Sequence, residues 1–366
     1  MKKPATNAEL EKHLFKTLTW FDDERKETIP LNALAQVKKN VTRARDEFLK
    51  MQKPLAIRQM TCSIAPYPTK YGFQNAYTGI HPYLYFNNRA TLVQFKADGQ
   101  LKNLLFNPYF PDLSLKAPFY ANLLEQKPFF IPESLLGKKD TSIIEQLNQV
   151  GIKPEDIDYV SYDHLHVQDM RPLMGTVDIN GNPKSAPYFP NATFIFHYKE
   201  WESVEYLHPL NSQWYVHGGI DGVDTSRLLL YDKDLLLAEG VALVHTPGHT
   251  AGNHSLYLNS ASGPFTISEN SVGPDGYNPS SSKMNDVKNA ARDRGVDVIL
   301  NANTVDEIYN QYNSTIKEKL LSGSSPDAPE FCNHRSSSQF TTWMTAIGLS
   351  PTYEHKPVNE GNLVHK

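Results

Sequence analysis

Apolar residues recur every three to four positions in two stretches near the start of the chain, "LEKHLFKTLTWF" and "LNALAQVKKNVTRARDEFL", with Pro30 between them. That period predicts helices, so residues 7 to about 52 are expected to pack as a helical extension on a larger body. From Leu55 to about Leu115 the pattern shortens to β-rich segments, "HPYLYFNN", "ATLVQF" and "KNLLFN", with the turn "ADGQ" before the last. These read as antiparallel strands. In "DTSIIEQLNQVGIKPEDIDYVSY" an apolar stripe of Ile143, Ile144, Leu147 and Val150 predicts a helix, with Ser142 and Glu145 as a capping box and Gly151 as its stop. "IDYVSY" then predicts a strand. Further strands are expected at "ATFIFHY", along "GVALVHTPGHTAGNHSLYL" and at "GPFTIS". A helix-turn-strand unit is expected in "MNDVKNAARDRGVDVILNAN" and a long helix in "TVDEIYNQYNSTIKEKLLSG".

This pattern divides the chain into a helical N-terminal extension over residues 1–54, a mixed α and β domain over 55–321, and an irregular tail over 322–366. The tail is rich in Ser, Pro and Asn, and Phe340 and Trp343 are expected to dock it on the domain. Composition adds that 366 residues with 40% hydrophobic and 21% charged side chains suit a sizeable globular core. The net charge of −4 comes without a basic block, which argues against nucleic acid or an anionic membrane as partner and for a small molecule. Oligomeric state is not legible. The two cysteines, Cys62 and Cys332, are too few for a disulfide framework or a thiolate zinc knuckle. With no leader-like apolar start and no apolar run of membrane length, a reducing, cytoplasmic location is expected.

Candidate chemistry starts at "SYDHLHVQDMRP", where His164 and His166 follow the end of a strand. Side chains two apart on an extended segment point the same way, so both imidazoles can reach one metal. Asp169 follows, and Pro172 marks a helix start whose turn would swing that carboxylate back. In "VHTPGHTAGNHSLYL", His249 lies on a tight loop between strands, and Glu269 follows another strand in "PFTISEN". His254 is expected to anchor a strand start, His197 to be structural, and Trp201, Trp214 and Trp343 to be core, while His217 with Gly218 and Gly219 is an unassigned loop that could line a site. No phosphate-binding or dinucleotide fingerprint is present.

"LNQVGIKPEDIDYVSYDHLHVQD" followed by "EGVALVHTPGHTAGNHSLYL" resembles the metallo-β-lactamase superfamily, whose hallmark is H-x-H-x-D-H after a strand and a later T-P-G-H-T-x-G loop. The match runs from about residue 85 to about residue 315. The resemblance implies an αββα sandwich of two mixed β-sheets flanked by helices, with His164, His166 and His249 as ligands of a first metal. The chain departs from the pattern in the second half of the site. Gln168 and Asp169 stand where the family has aspartate and histidine, and Glu269 stands for the bridging aspartate. Asn301 or Asn303 replaces the last family histidine, and "LLFNPYFPD" lacks the acid of the family's D-T-G turn.

The function this implies is a metal-dependent hydrolase that delivers metal-bound hydroxide to an ester, lactone, amide or similar bond of a small molecule. One or two divalent ions are expected, zinc first, with Asp169 as general base or water-orienting group and Asp169 and Glu269 as further ligands. Because carboxylate replaces imidazole, iron or manganese is the alternative, and with it a non-haem iron redox enzyme on the same fold. A catalytically inactive binding relative is the third reading.

Overall fold

Alternation along the strands builds the frame. In the computed structural model, which describes residues 2–126, 137–303, 307–344 and 348–365, one antiparallel sheet runs Lys16–Leu18, Asp234–Ala238, Val241–His245, His254–Ser260, Gly263–Ile267. The second sheet is mixed and runs Leu228–Tyr231, Thr193–His197, Tyr159–Ser161, Gln100–Phe106, Tyr83–Ala97, Ala56–Pro68, Asn359–Gly361. Its first four strands are parallel and the rest antiparallel.

Successive side chains on a strand point to opposite faces, and the burial follows that rule. Val93, Phe95, Leu104 and Phe106 from one sheet meet Val241, Leu243, Leu256 and Phe265 from the other in a core between the sheets. Their neighbours Leu92 and Leu105 face outward onto a layer that includes Ile143, Leu147, Met170, Trp201 and Val287. Ala242, Val244 and Tyr257 face the opposite way onto Trp20, Val41, Ala44, Phe48 and Leu321. Helix, sheet, sheet, helix is the resulting order, the αββα sandwich that the resemblance implies.

Several elements differ from the sequence expectation. The stretch after Pro30 is helical over Pro30–Leu49, with Pro30 in its first turn, where a missing N–H costs nothing. The stretch before it is not one helix. A short helix, Asn7–Lys12, ends before Leu14 at φ 63, and Lys16–Leu18 pairs with Leu236–Asp234 as an edge strand. Tertiary pairing outweighs helical period there because it buries Phe15 between the sheets and Trp20 on the outer layer. "HPYLYFNN" and "ATLVQF" belong to one long strand, Tyr83–Ala97, which turns through Asp98 and Gly99, both at positive φ, into Gln100–Phe106. In "VDVILN", Val298, Ile299, Leu300 and Asn301 are buried, but the segment forms no strand. The start of the helix expected from residue 304 lies outside the described residues, and its remainder is Ile308–Ser322.

The tail segment contributes Ser338–Thr341, which pairs with Tyr85–Asn88, and Asn359–Gly361, which extends the mixed sheet past Ala56–Arg58. Cys62 and Cys332 are both buried free thiols. No described helix is long and apolar enough to cross a membrane.

Candidate metal centre

Strand register brings the candidate residues to one edge of the sandwich. Phe106 pairs with Ser161 in parallel, so Asn107 and the segment from Tyr162 to Asp169 leave their strands side by side. His245 pairs with His254, so the loop carrying His249 emerges at the ends of those two strands, and Ile267 pairs with Leu256, so Glu269 follows just beyond.

The three histidines converge. A ring nitrogen from each of His164, His166 and His249 lies within 4.8 Å of the others, and their ring centroids are 4.5 to 5.0 Å apart. All three are buried. Neither ring nitrogen of His166 has a hydrogen-bond partner among the described residues, although the residue is only 5% exposed. A buried imidazole without a partner loses solvation for no return, whereas a cation bound by its lone pair supplies the missing interaction. Burial, followed by the neighbouring histidines, pushes the His166 pKa well below the ordinary value, so the ring is the neutral base that a metal requires. The site therefore fits a metal ion.

Asp163, which the sequence reading passed over, holds His164. Its Oδ1 accepts the His164 Nδ1–H at 2.9 Å and the His164 backbone N–H at 2.8 Å, while Oδ2 accepts the Ser337 hydroxyl at 2.6 Å. A carboxylate on one imidazole nitrogen fixes the ring so that the other faces the ion. Burial pulls the His164 pKa down, but Asp163, helped by Glu269 and Glu200, carries it up to about 9. The negative surroundings that hold a proton there favour any other cation placed beside it.

Glu200, also missed from sequence, is fully buried on the helix Tyr198–Glu205. Its two oxygens accept from the Leu165 N–H at 2.7 Å and the Thr250 hydroxyl at 2.5 Å, so one carboxylate ties both histidine loops together. That approach leaves no room at Gly252, where a Cβ would stand 2.0 Å from the Glu200 nitrogen. Gly248, at φ 139, is similarly pressed against Gln311, with 2.1 Å from its built Cβ to the Gln311 Cα. Both glycines of the T-P-G-H-T-x-G loop thus have a packing reason. Asn270 Oδ1 accepts the His249 N–H at 3.1 Å and completes the clamp. Val167, a β-branched residue, sits at φ 56 and is held there by a 2.7 Å bond from its N–H to the Trp214 carbonyl. Such strain persists only where surroundings enforce it, and it clusters at functional sites.

Glu269 joins Asp163 and His164 in a second group of close ligand atoms. Burial lifts its pKa to about 7, with His164, Ser338 and Ser337 pulling the other way and Asp163 adding to the rise. Asn301 lies beside it, with Nδ2 3.5 Å from Glu269 Oε1 and Oδ1 accepting the Tyr67 hydroxyl at 2.7 Å.

Asp169 departs from the expectation. It caps the helix Met170–Met174, and its oxygens accept from Arg171 Nε and Nη2 at 2.8 Å each and from Lys116 Nζ at 3.1 Å. With both oxygens taken it belongs to neither close group of ligand atoms. The sequence hint was Arg171 two residues on, whose guanidinium turns back onto the capping acid. Of the other singled-out residues, His254 bonds Ser161 Oγ at 3.1 Å, His197 stacks on His245 at 3.8 Å, and His217 is exposed away from the cavity. Trp201 is core, Trp343 is half-buried beside Tyr85, and Trp214 is buried yet also lines the cavity beside the histidines.

That cavity has a volume of about 60 Å³. Its lining combines an aromatic wall of Tyr67, Phe86, Tyr109, Phe119, Tyr120 and Trp214 with the polar side chains of Asn88, Arg89, Asn107, Asp163, Glu269 and Asn303. Ser337 and Ser338 reach it from the tail.

Similarity to known proteins is confined to part of the chain. No family model matches it. An N-acyl homoserine lactonase from Bacillus sp is 28% identical over 141 residues, 38% of this chain and 48% of that protein. One from Bacillus cereus is 28% identical over 120 residues, 33% of this chain and 40% of that protein. The chain thus matches about half or less of the length of these relatives. The solved dizinc quorum-quenching lactonase AidC shares 13% identity at a TM-score of 0.48, over 84% of this chain and 97% of that one. A probable metal-dependent hydrolase from Staphylococcus aureus shares 16% at a TM-score of 0.43, over 59% of this chain and 73% of that one. Such distant likeness says nothing about chemistry. The histidine spacing and the three-imidazole cluster carry the likeness, alongside the partial matches to these relatives. This chain resembles the metallo-β-lactamase superfamily. Against that family pattern the chain departs at Gln168, Asp169, Glu269, at Asn301 or Asn303, and in "LLFNPYFPD", which lacks the acid of the D-T-G turn.

Proposed function

We propose that this chain is a metal-dependent hydrolase that opens the carbonyl bond of a small lactone or ester. The observation that carries the reading is the buried cluster of His164, His166 and His249, with His166 left without a hydrogen-bond partner among the described residues. The curated relatives carry the name N-acyl homoserine lactonase, which supports a lactone as substrate class. A set of three imidazole ligands suits zinc, which would take the place of the proton held at His164. When bound there, the ion lowers the pKa of a water toward neutrality and polarises the carbonyl.

The chain's own residues do the rest. Asp163 keeps the His164 ring in one orientation, and Glu200 and Asn270 hold the two histidine loops at fixed separation. Glu269 faces the same cavity and is the carboxylate placed to orient a water and accept its proton. The aromatic wall excludes bulk water and packs the apolar part of the substrate, and the small cavity selects a compact ring or acyl head.

The test uses protein stripped with chelator and reloaded with zinc, assayed by pH-stat against N-hexanoyl homoserine lactone, γ-butyrolactone and p-nitrophenyl acetate. Zinc-loaded protein is expected to open at least one of them and chelated protein none. No turnover with zinc, manganese or iron loading rejects the hydrolase reading, and oxygen uptake in the iron-loaded sample would favour redox chemistry instead.

For Asp169 the arrangement supports loop anchoring. Asp169→Asn keeps a helix-capping oxygen and loses the charge shared by Arg171 and Lys116. Metal content by elemental analysis is expected to stay at the wild-type value, while the melting temperature drops by roughly 2–4 °C. A drop in the metal ratio would return Asp169 to the ligand set.

A further inference from the structure

The cavity beside the histidines is lined by a donor that the hydrolase reading leaves unused. Asn107 follows the strand Gln100–Phe106 at φ 53 and is only 7% exposed. The two ends of an amide are told apart by what they bond to. Here Oδ1 accepts the Asp163 backbone N–H at 2.9 Å, so the oxygen end is assigned and Nδ2 is the other end. Nδ2 is buried without a hydrogen-bond partner among the described residues. A buried N–H left unsatisfied is destabilising, and a ligand oxygen in the cavity would supply the missing bond.

Position makes this donor useful. Asn107 is linked through Asp163 to the His164 ring by two hydrogen bonds of 2.9 Å each. Asn107, His164 and His166 line one cavity of about 60 Å³, so a carbonyl group seated in it is close to the amide and to these two rings. Asp163 and Glu269 line it too, which disfavours a ligand that arrives as an anion and suits a neutral carbonyl whose oxygen gains charge only during reaction. Arg89 Nε is another unpartnered donor in the lining, but the rest of that guanidinium is committed to Gln339, the His355 carbonyl and Glu354.

We propose that Asn107 is a catalytic residue: its Nδ2 donates to the carbonyl oxygen of the substrate and strengthens that bond as the oxygen becomes an oxyanion. This rests on the hydrolase reading above and adds the donor that the cavity supplies. No covalent bond to Asn107 forms. The oxygen stays on the substrate, and the amide keeps its protons.

The test compares zinc-loaded wild type with Asn107→Asp, which keeps the acceptor for Asp163, and Asn107→Leu, which adds no charge. Both lose the donor. With the best lactone from the panel, kcat is expected to fall about 10²-fold in both, as for loss of one oxyanion donor, with KM within about threefold and metal content unchanged. A kcat within about threefold of wild type in either fully metal-loaded variant overturns the proposal, as does a loss confined to Asp, or one found in Arg89→Lys in place of the Asn107 variants. If the variants do not fold, wild type is titrated with γ-butyrolactam, a neutral carbonyl that resists hydrolysis. The Asn107 side-chain amide signals in ¹⁵N-labelled protein are expected to move downfield, and signals unmoved at the highest soluble concentration overturn it. Should wild type open no lactone or ester, the hydrolase reading falls, and the lactam titration still decides whether Asn107 receives a carbonyl.

Discussion

Alanine at His164, His166 or His249 is expected to abolish metal loading and to lower turnover on the order of 10³-fold or more, since each removes one of three protein ligands from the ion. The three losses should be alike in size and far from additive, because a cluster missing one imidazole no longer supplies a complete donor set. His245 and His254 flank His249 in sequence, but His245 Nε2 bonds the Ala251 carbonyl and His254 Nε2 bonds Ser161 Oγ. Elemental analysis after dialysis against trace zinc checks the result, with circular dichroism to show that the fold survives. His217→Ala, at an exposed position, is the control and should load like wild type. Wild-type metal content in all three cluster variants would mean that the ion sits elsewhere or that none is held.

The histidines could be found in the sequence because each is flagged by local grammar: two imidazoles one residue apart at a strand end, and one on a tight Pro-Gly loop between strands. The strands were legible as short apolar runs such as "VALVH" and "LVQF", whereas their arrangement in two sheets came from the resemblance to the metallo-β-lactamase superfamily. What escaped is long-range. Glu200 meets Leu165 and Thr250 across separations of 35 and 50 residues, and Ser337 reaches Asp163 across 174. No spacing rule connects such positions. Asp163 escaped for the opposite reason. Next to His164 it looks like a strand-end polar residue, and only the turn of the backbone after Tyr162 shows its carboxylate folding onto its neighbour's ring. Lys16–Leu18 was hidden because three residues carry too little pattern to outweigh the helical period around them, and the pairing that decides their structure lies more than two hundred residues away.

The altered half of the centre predicts how many ions the chain holds. Superfamily members with two ions build the second site from an aspartate and histidine after the H-x-H pair, a bridging acid and a last histidine. Here Gln168 is an amide, Asp169 is held by Arg171 and Lys116, and Asn301 gives its oxygen to Tyr67. Asp163 is close enough to Glu269 to be considered, but its oxygens already accept from His164 and Ser337. Glu269 is held by long contacts from Ser337 and Asn301, and one carboxylate does not hold a divalent cation against water. Zinc-saturated protein is therefore expected to carry about one ion per chain, and Glu269→Gln should keep that ratio while lowering kcat by about 10²- to 10⁴-fold, the loss typical of a removed proton acceptor. The fall should appear equally in kcat/KM, because the carboxylate acts on the water in the transition state and not on substrate affinity. Asp163→Asn should do the reverse, weakening zinc affinity by about 10- to 100-fold through the loosened His164 ring while leaving the saturated enzyme active. A ratio near two that drops when Glu269 is changed would show that the carboxylate is a ligand after all, with Asp163 turned from His164 to join it.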